Sequence, residues 1–81
     1  MYLEIVTPDK NIFKGEVSEA SFPGADGSFQ VLKNHAPLVS ALGKGPISFT
    51  TPLGKQSVVV DGGVVEVNDN KIMVLAEKVL V

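Results

Sequence analysis

Turn signals fall along this chain so densely that no long element fits between them. Pro8, Gly15, residues 23–27, Asn34, residues 43–46, residues 52–54, the pair Gly62 and Gly63, and residues 68–70 cut it into short apolar runs. The runs recur at intervals of about 8 to 12 residues, the spacing of an all-β sandwich or barrel. No segment longer than about ten residues carries the 3.6 period of a helix. In the first run Leu3, Ile5 and Thr7 alternate with Tyr2, Glu4 and Val6, as in a half-buried strand. Asp9, Lys10 and Asn11 read as turn residues after Pro8, and further strands are expected at 16–22, 28–32, 37–42 and 47–50. Gly43, Lys44, Gly45 and Pro46 are expected to end the strand at 37–42. Residues 55–61 and 64–67 are β-branched runs joined across Gly62 and Gly63, and a last apolar stretch covers 72–81. The turn at residues 68–71 is the strongest hairpin signal, because Asx residues tolerate the left-handed conformation between two Val-rich strands. The Val58 to Val60 run and the Val64, Val65 pair are low in charge and must be central or covered to avoid edge pairing.

All 81 residues make one domain. A chain of this size hides only about 60% of its unfolded surface, so a partner surface is an expected contributor to stability. Without cysteine there are no disulfides, no thiolate metal cluster and no thiol chemistry. The Met1 end carries Glu4, Asp9 and Lys10 in place of a basic head and apolar run, which reads as neither signal peptide nor membrane span. Seven Lys, no Arg, nine carboxylates and a net charge of −2 do not make the basic stripe that nucleic acid requires.

Catalytic groups are scarce. His35 is the only imidazole and has no second His, no Cys and no suitably spaced carboxylate to form a triad or metal set, so it reads as a structural or interface residue. Glu16 and Glu19, three apart on the expected strand, point to opposite faces and are not a carboxylate pair. The glycine-flanked loop at 24–27 is followed by no Lys-Ser or Lys-Thr and no helix, which argues against a nucleotide cradle. Pro37 fixes φ and holds Ala36 extended, making a rigid corner. No cofactor, metal or small-molecule substrate is expected. The alternative from another class is a lipoyl or biotinyl carrier, or a small-ligand-binding β module. Lys10 and Lys71 sit at turns, but neither has the Met-Lys or Asp-Lys-Ala setting of a carrier.

One segment is not explained by composition: Gly27, Ser28, Phe29, Gln30, Val31, Leu32, Lys33, Asn34, His35, Ala36, Pro37, Leu38. It resembles the Gly-x-Phe-x-x-Leu-x-x-His-Ala-Pro-Leu segment of the epsilon subunits of F-type ATP synthases. Thr7, Pro8, Asp9, Lys10 with Phe13, Lys14, Gly15, Glu16, Val17 fit the same family in order and spacing. So do Gly62, Gly63, Val64, Val65, Glu66, Val67 with Val74, Leu75, Ala76. The resemblance covers essentially the whole chain.

It implies a flattened antiparallel β-sandwich of short strands that binds the side of the gamma subunit and rests on the ring of c subunits. The implied role is that of a non-catalytic central-stalk rotor subunit. The implied location is the cytoplasmic face of the bacterial inner membrane, peripheral to it through the complex. The family's loop that meets the c-ring corresponds to Asp26, Gly27, Ser28 and Phe29, with Asp26 and Ser28 offering hydrogen-bonding groups and Phe29 anchoring the loop to the core. Asn34, His35, Ala36, Pro37 and Leu38 are the second expected partner-binding group, near gamma or the ring. In family members the sandwich is usually followed by a helical hairpin that can restrain rotation and in some binds ATP. Residues 1–81 contain no such helices, and the expectation is of coupling without that restraint.

Overall fold

The computed structural model describes residues 1–80, and every regular element in it is a strand. These are β1 (Tyr2–Val6), β2 (Asn11–Glu16), β3 (Glu19–Phe22), β4 (Phe29–Leu32), β5 (Leu38–Thr51), β6 (Gly54–Asn68) and β7 (Lys71–Ala76). They hydrogen-bond in the order β2-β1-β7-β6-β5-β3-β4. All neighbours are antiparallel except β1 and β7, which run parallel, so the expected all-antiparallel arrangement is corrected at that one pair. Val81, the last residue of the apolar stretch expected at 72–81, lies outside the described residues.

The seven strands are continuous in hydrogen bonding yet curl into two layers. Phe13 of β2 and Phe49 of β5 have three strands between them in the sheet, but their ring centroids are 4.5 Å apart. Contact across that separation requires the sheet to fold back on itself, giving the two-layer core of a sandwich. The curl is built into β5 and β6, whose register holds from Leu38↔Val67 at one end to Thr51↔Gly54 at the other. At 14 and 15 residues they are long enough to serve both layers, which corrects the expectation of short strands only. Leu42 of β5 lies opposite Gly63 and Gly45 opposite Val60, with Gly43 and Gly62 between them, and there the pair bends. Gly63 has φ 138, and a Cβ on it would run into the backbone of Leu75 and Ala76, so the close approach of β7 at the bend demands glycine.

Residues 43–46 therefore bend a strand and do not end it. Pro46 is accommodated because β3 pairs with β5 only as far as Ser48, so no ladder bond is lost on that side. The strand expected at 16–22 is two strands instead. Val17 N–H donates to the Met1 carbonyl at 2.8 Å while the next residue, Ser18, donates to the Thr50 carbonyl at 2.9 Å. Adjacent residues thus bond to opposite layers, and Glu16 and Glu19 fall on different strands. Asn11 opens β2 and is not a turn residue; the turn before it is closed by Thr7 N–H donating to the Lys10 carbonyl at 2.9 Å.

Between the layers lie Leu3, Ile5, Phe22, Val31, Ile47, Val60, Val65, Ile72 and Val74, all fully buried, and among the described residues no polar side chain is buried with them. Each such side chain contributes about 1.5–3 kcal/mol when removed from water. β6 lies between β5 and β7, so the Val58 to Val60 and Val64, Val65 runs are central as expected.

Candidate partner interface

The expected partner-binding residues form two clusters, one at each end of β4, about 13 Å apart for a four-residue strand. At the first, Gly27 N–H donates to the Gly24 carbonyl at 3.0 Å and closes a turn that leaves Asp26, Gly27 and Ser28 exposed. The turn lies against β5, where Ala25 N–H donates to the Ala41 carbonyl and Gly43 N–H to the Pro23 carbonyl, at 2.9 and 2.8 Å. Phe29 anchors it, its ring centroid 5.5 Å from that of the buried Phe22.

At the second cluster, His35 N–H donates to the Leu32 carbonyl at 3.1 Å, forming the corner between β4 and β5. His35 Nδ1 lies 2.7 Å from the Ala36 carbonyl, and since a carbonyl only accepts, the ring nitrogen donates. The half-buried imidazole is held against its own chain, with Ala36 and Pro37 exposed and Leu38 packed against the core.

Asn34 ties this corner to a part of the chain that sequence reasoning treated as a plain turn. Its N–H donates to Asn70 Oδ1 at 2.6 Å, and Asn70 Nδ2 donates back to Asn34 Oδ1 at 3.0 Å. Both residues have positive φ, 65° and 59°, which Asn accepts more readily than most residues. Asn70 and Asp69 form the two-residue tip of the expected hairpin, with Asn68 opposite Lys71. Lys71 is therefore the first residue of β7, flanking the turn and not one of its two tip residues, where a carrier lysine would stand. Nothing in the sequence links positions 34 and 70; the pairing exists only because β5 and β6 bring the two turns to one end.

The apolar surface left over from the core, expected to meet gamma but not placed on residues by the sequence, is a second surface. Along one outer face, Ala41 pairs with Val64, Val64 with Leu75, and Leu75 with Val6, an apolar row crossing four adjacent strands. Leu75 is 56% exposed, Val64 43% and nearby Val39 70%. Val6, Thr7, Pro8, Val64 and Leu75 line a shallow depression of about 370 Å³ there. The opposite outer face differs: its register places Gln30, Ser21, Ser48 and Ser57 in a row. The available signal was the failure of Val64, Val65 and Met73, Val74, Leu75 to alternate with polar residues, which marks strands apolar on both faces. Among the described residues no three His, Asp or Glu side chains gather as a metal set would.

Comparison with known proteins agrees with this fold. Residues 1–80 match the family described as ATP synthase, Delta/Epsilon chain, beta-sandwich domain. An ATP synthase epsilon chain of Chlorobium limicola is 44% identical over 78 residues, 95% of this chain and 89% of its own length. One from Rhodopseudomonas palustris strain TIE-1 is 40% identical over 76 residues, of which this chain spans 56% of the length. A chain in the mitochondrial ATP synthase of Euglena gracilis, a structure of OSCP, F1 and c-ring, superposes with a TM-score of 0.86 at 26% identity, covering 96% of this chain and 51% of that one. A chain from the Tetrahymena thermophila mitochondrial ATP synthase shares the fold, with a TM-score of 0.81 at 16% identity over 98% of this chain and 64% of that one. With its family match running from the first residue to the eightieth, the chain belongs to the delta/epsilon chain β-sandwich family of ATP synthases.

Proposed function

We propose that this chain is a non-catalytic coupling component of the central stalk of an F-type ATP synthase, joining gamma to the c-ring. Its relatives named ATP synthase epsilon chain support the complex to which it belongs. The observation that carries the mode of action is the apolar row of Val6, Leu75, Val64 and Ala41 set against a hydroxyl-rich opposite face. An exposed apolar surface of this kind marks a protein contact, and gamma is its occupant in this reading. The exposed turn of Asp26, Gly27 and Ser28 meets the polar loops of c, with the corner of His35, Ala36 and Pro37 beside one of the two contacts. The domain makes no bonds; it transmits torque by fitting. In a bacterial cell it sits at the cytoplasmic face of the inner membrane, peripheral and held there by the complex. Co-purification of the chain with a gamma subunit tests this, and failure to form a complex under conditions where both are folded contradicts it.

A further inference from the structure

Asn70 makes three hydrogen bonds to two other parts of the chain. Its backbone carbonyl accepts the Tyr2 N–H at 2.9 Å, its Oδ1 accepts the Asn34 N–H at 2.6 Å, and its Nδ2 donates to Asn34 Oδ1 at 3.0 Å. The first bond fixes the tip of the β6–β7 hairpin to β1, so the turn is a rigid support. The other two hold Asn34, the residue at positive φ immediately before His35, by both its backbone and its side chain. Asn34 is itself exposed, as are Lys33, Ala36 and Pro37, and besides the bonds from Asn70 the corner is held by its own local bonds, His35 N–H to the Leu32 carbonyl and His35 Nδ1 to the Ala36 carbonyl. We propose that Asn70 is a positioning residue: acting through Asn34, it sets the orientation in which His35, Ala36 and Pro37 are presented to the stalk partner. The inference rests on the reading of that corner as part of the gamma contact. Pre-orienting a contact lowers the ordering cost of binding without adding any interaction across the interface.

The test uses the 81-residue chain and the gamma subunit, with affinity and amide exchange measured on the same variants. Glycine suits positive φ at both positions, so Asn70→Gly and Asn34→Gly remove the side-chain pair without straining the backbone. Each is expected to weaken binding about five- to tenfold, as for loss of one or two exposed hydrogen bonds. The double variant is expected to be no weaker than either alone. Asn70→Asp restores binding, because the Asn34 carboxamide can turn its Nδ2 toward the new carboxylate while the Asn34 N–H bond is kept. In the free chain Asn70→Gly speeds exchange of the Asn34 amide and leaves the Val65 amide protected, which a general loosening of the sandwich would not do. Ala36→Glu, at an exposed corner position, serves as the direct probe of the contact. Weakened binding by Ala36→Glu with unaltered binding by Asn70→Gly overturns the positioning role alone. Unaltered binding by both removes the corner's contact with gamma, and this proposal with it. Additive losses at 34 and 70, or equal acceleration of exchange at Asn34 and Val65, also overturn it.

Discussion

Phe13 and Phe49 pack at 4.5 Å between ring centroids with their planes tilted by 44°, joining the edge strand β2 to β5 in the other layer. This contact closes the sheet on itself. Phe49 is buried at 2% exposure, and Phe49→Ala is expected to cost about 3–5 kcal/mol. Phe13→Ala, at a half-buried site, costs less. A double-mutant cycle by denaturant unfolding should return a coupling of about 0.5–1.5 kcal/mol for the aromatic pair. Strict additivity would mean that the layers are held without this contact.

How far the sequence carried these conclusions depended on whether a signal was local. The turn at Asp69 and Asn70 was legible because two Asx residues between Val-rich strands meet a steric requirement that the chain states locally. Val65 was legible as covered because a low-charge β-branched run invites pairing at a sheet edge, whereas its neighbour Val64, read the same way, is 43% exposed. The bend at residues 43–46 was not, since Gly and Pro look alike whether they end a strand or let it turn between layers. Nor was the break at Val17 and Ser18, whose backbone bonds go to Met1 and Thr50, 16 and 32 residues away along the chain. In the candidate site, the exposed turn at Asp26 and the corner at Pro37 could be read directly, whereas the Asn34 and Asn70 pair and the apolar row depend on register.

The bend makes a contrast between glycines only a short distance apart. Gly63→Ala places a Cβ against the Leu75 and Ala76 backbone at positive φ, and should destabilise by at least about 1–3 kcal/mol from backbone strain alone. At Gly43 the nearest atom to an added Cβ is the Pro23 carbonyl oxygen at 3.7 Å, ordinary contact, and Gly43→Ala should be within about 0.5 kcal/mol of the unaltered chain. Thermal unfolding of the two variants checks this, and equal effects would place the bend elsewhere.

The turn preceding β4 gives a prediction about orientation in the complex. Asp26 and Ser28 are exposed, so Asp26→Cys or Ser28→Cys should leave the fold intact and form a crosslink with a cysteine in the polar loop of c. Mass analysis of the crosslinked product identifies the partner. A product with the catalytic subunits would invert the domain relative to the ring.

The central claim is that the row of Val6, Leu75, Val64 and Ala41 is the gamma-binding face, and calorimetric titration of the chain with gamma tests it most directly. Val64→Glu and Leu75→Glu put a charge at exposed positions of that face, while Ser48→Glu and Ser57→Glu do the same on the opposite face. All four are expected to retain the β-type circular dichroism of the unaltered chain, because none of these side chains is in the core. The first two should weaken binding by about a hundredfold or more through burial of an unpaired charge, and the second two should not. Equal affinity across all four variants, or loss confined to Ser48→Glu and Ser57→Glu, would contradict the account.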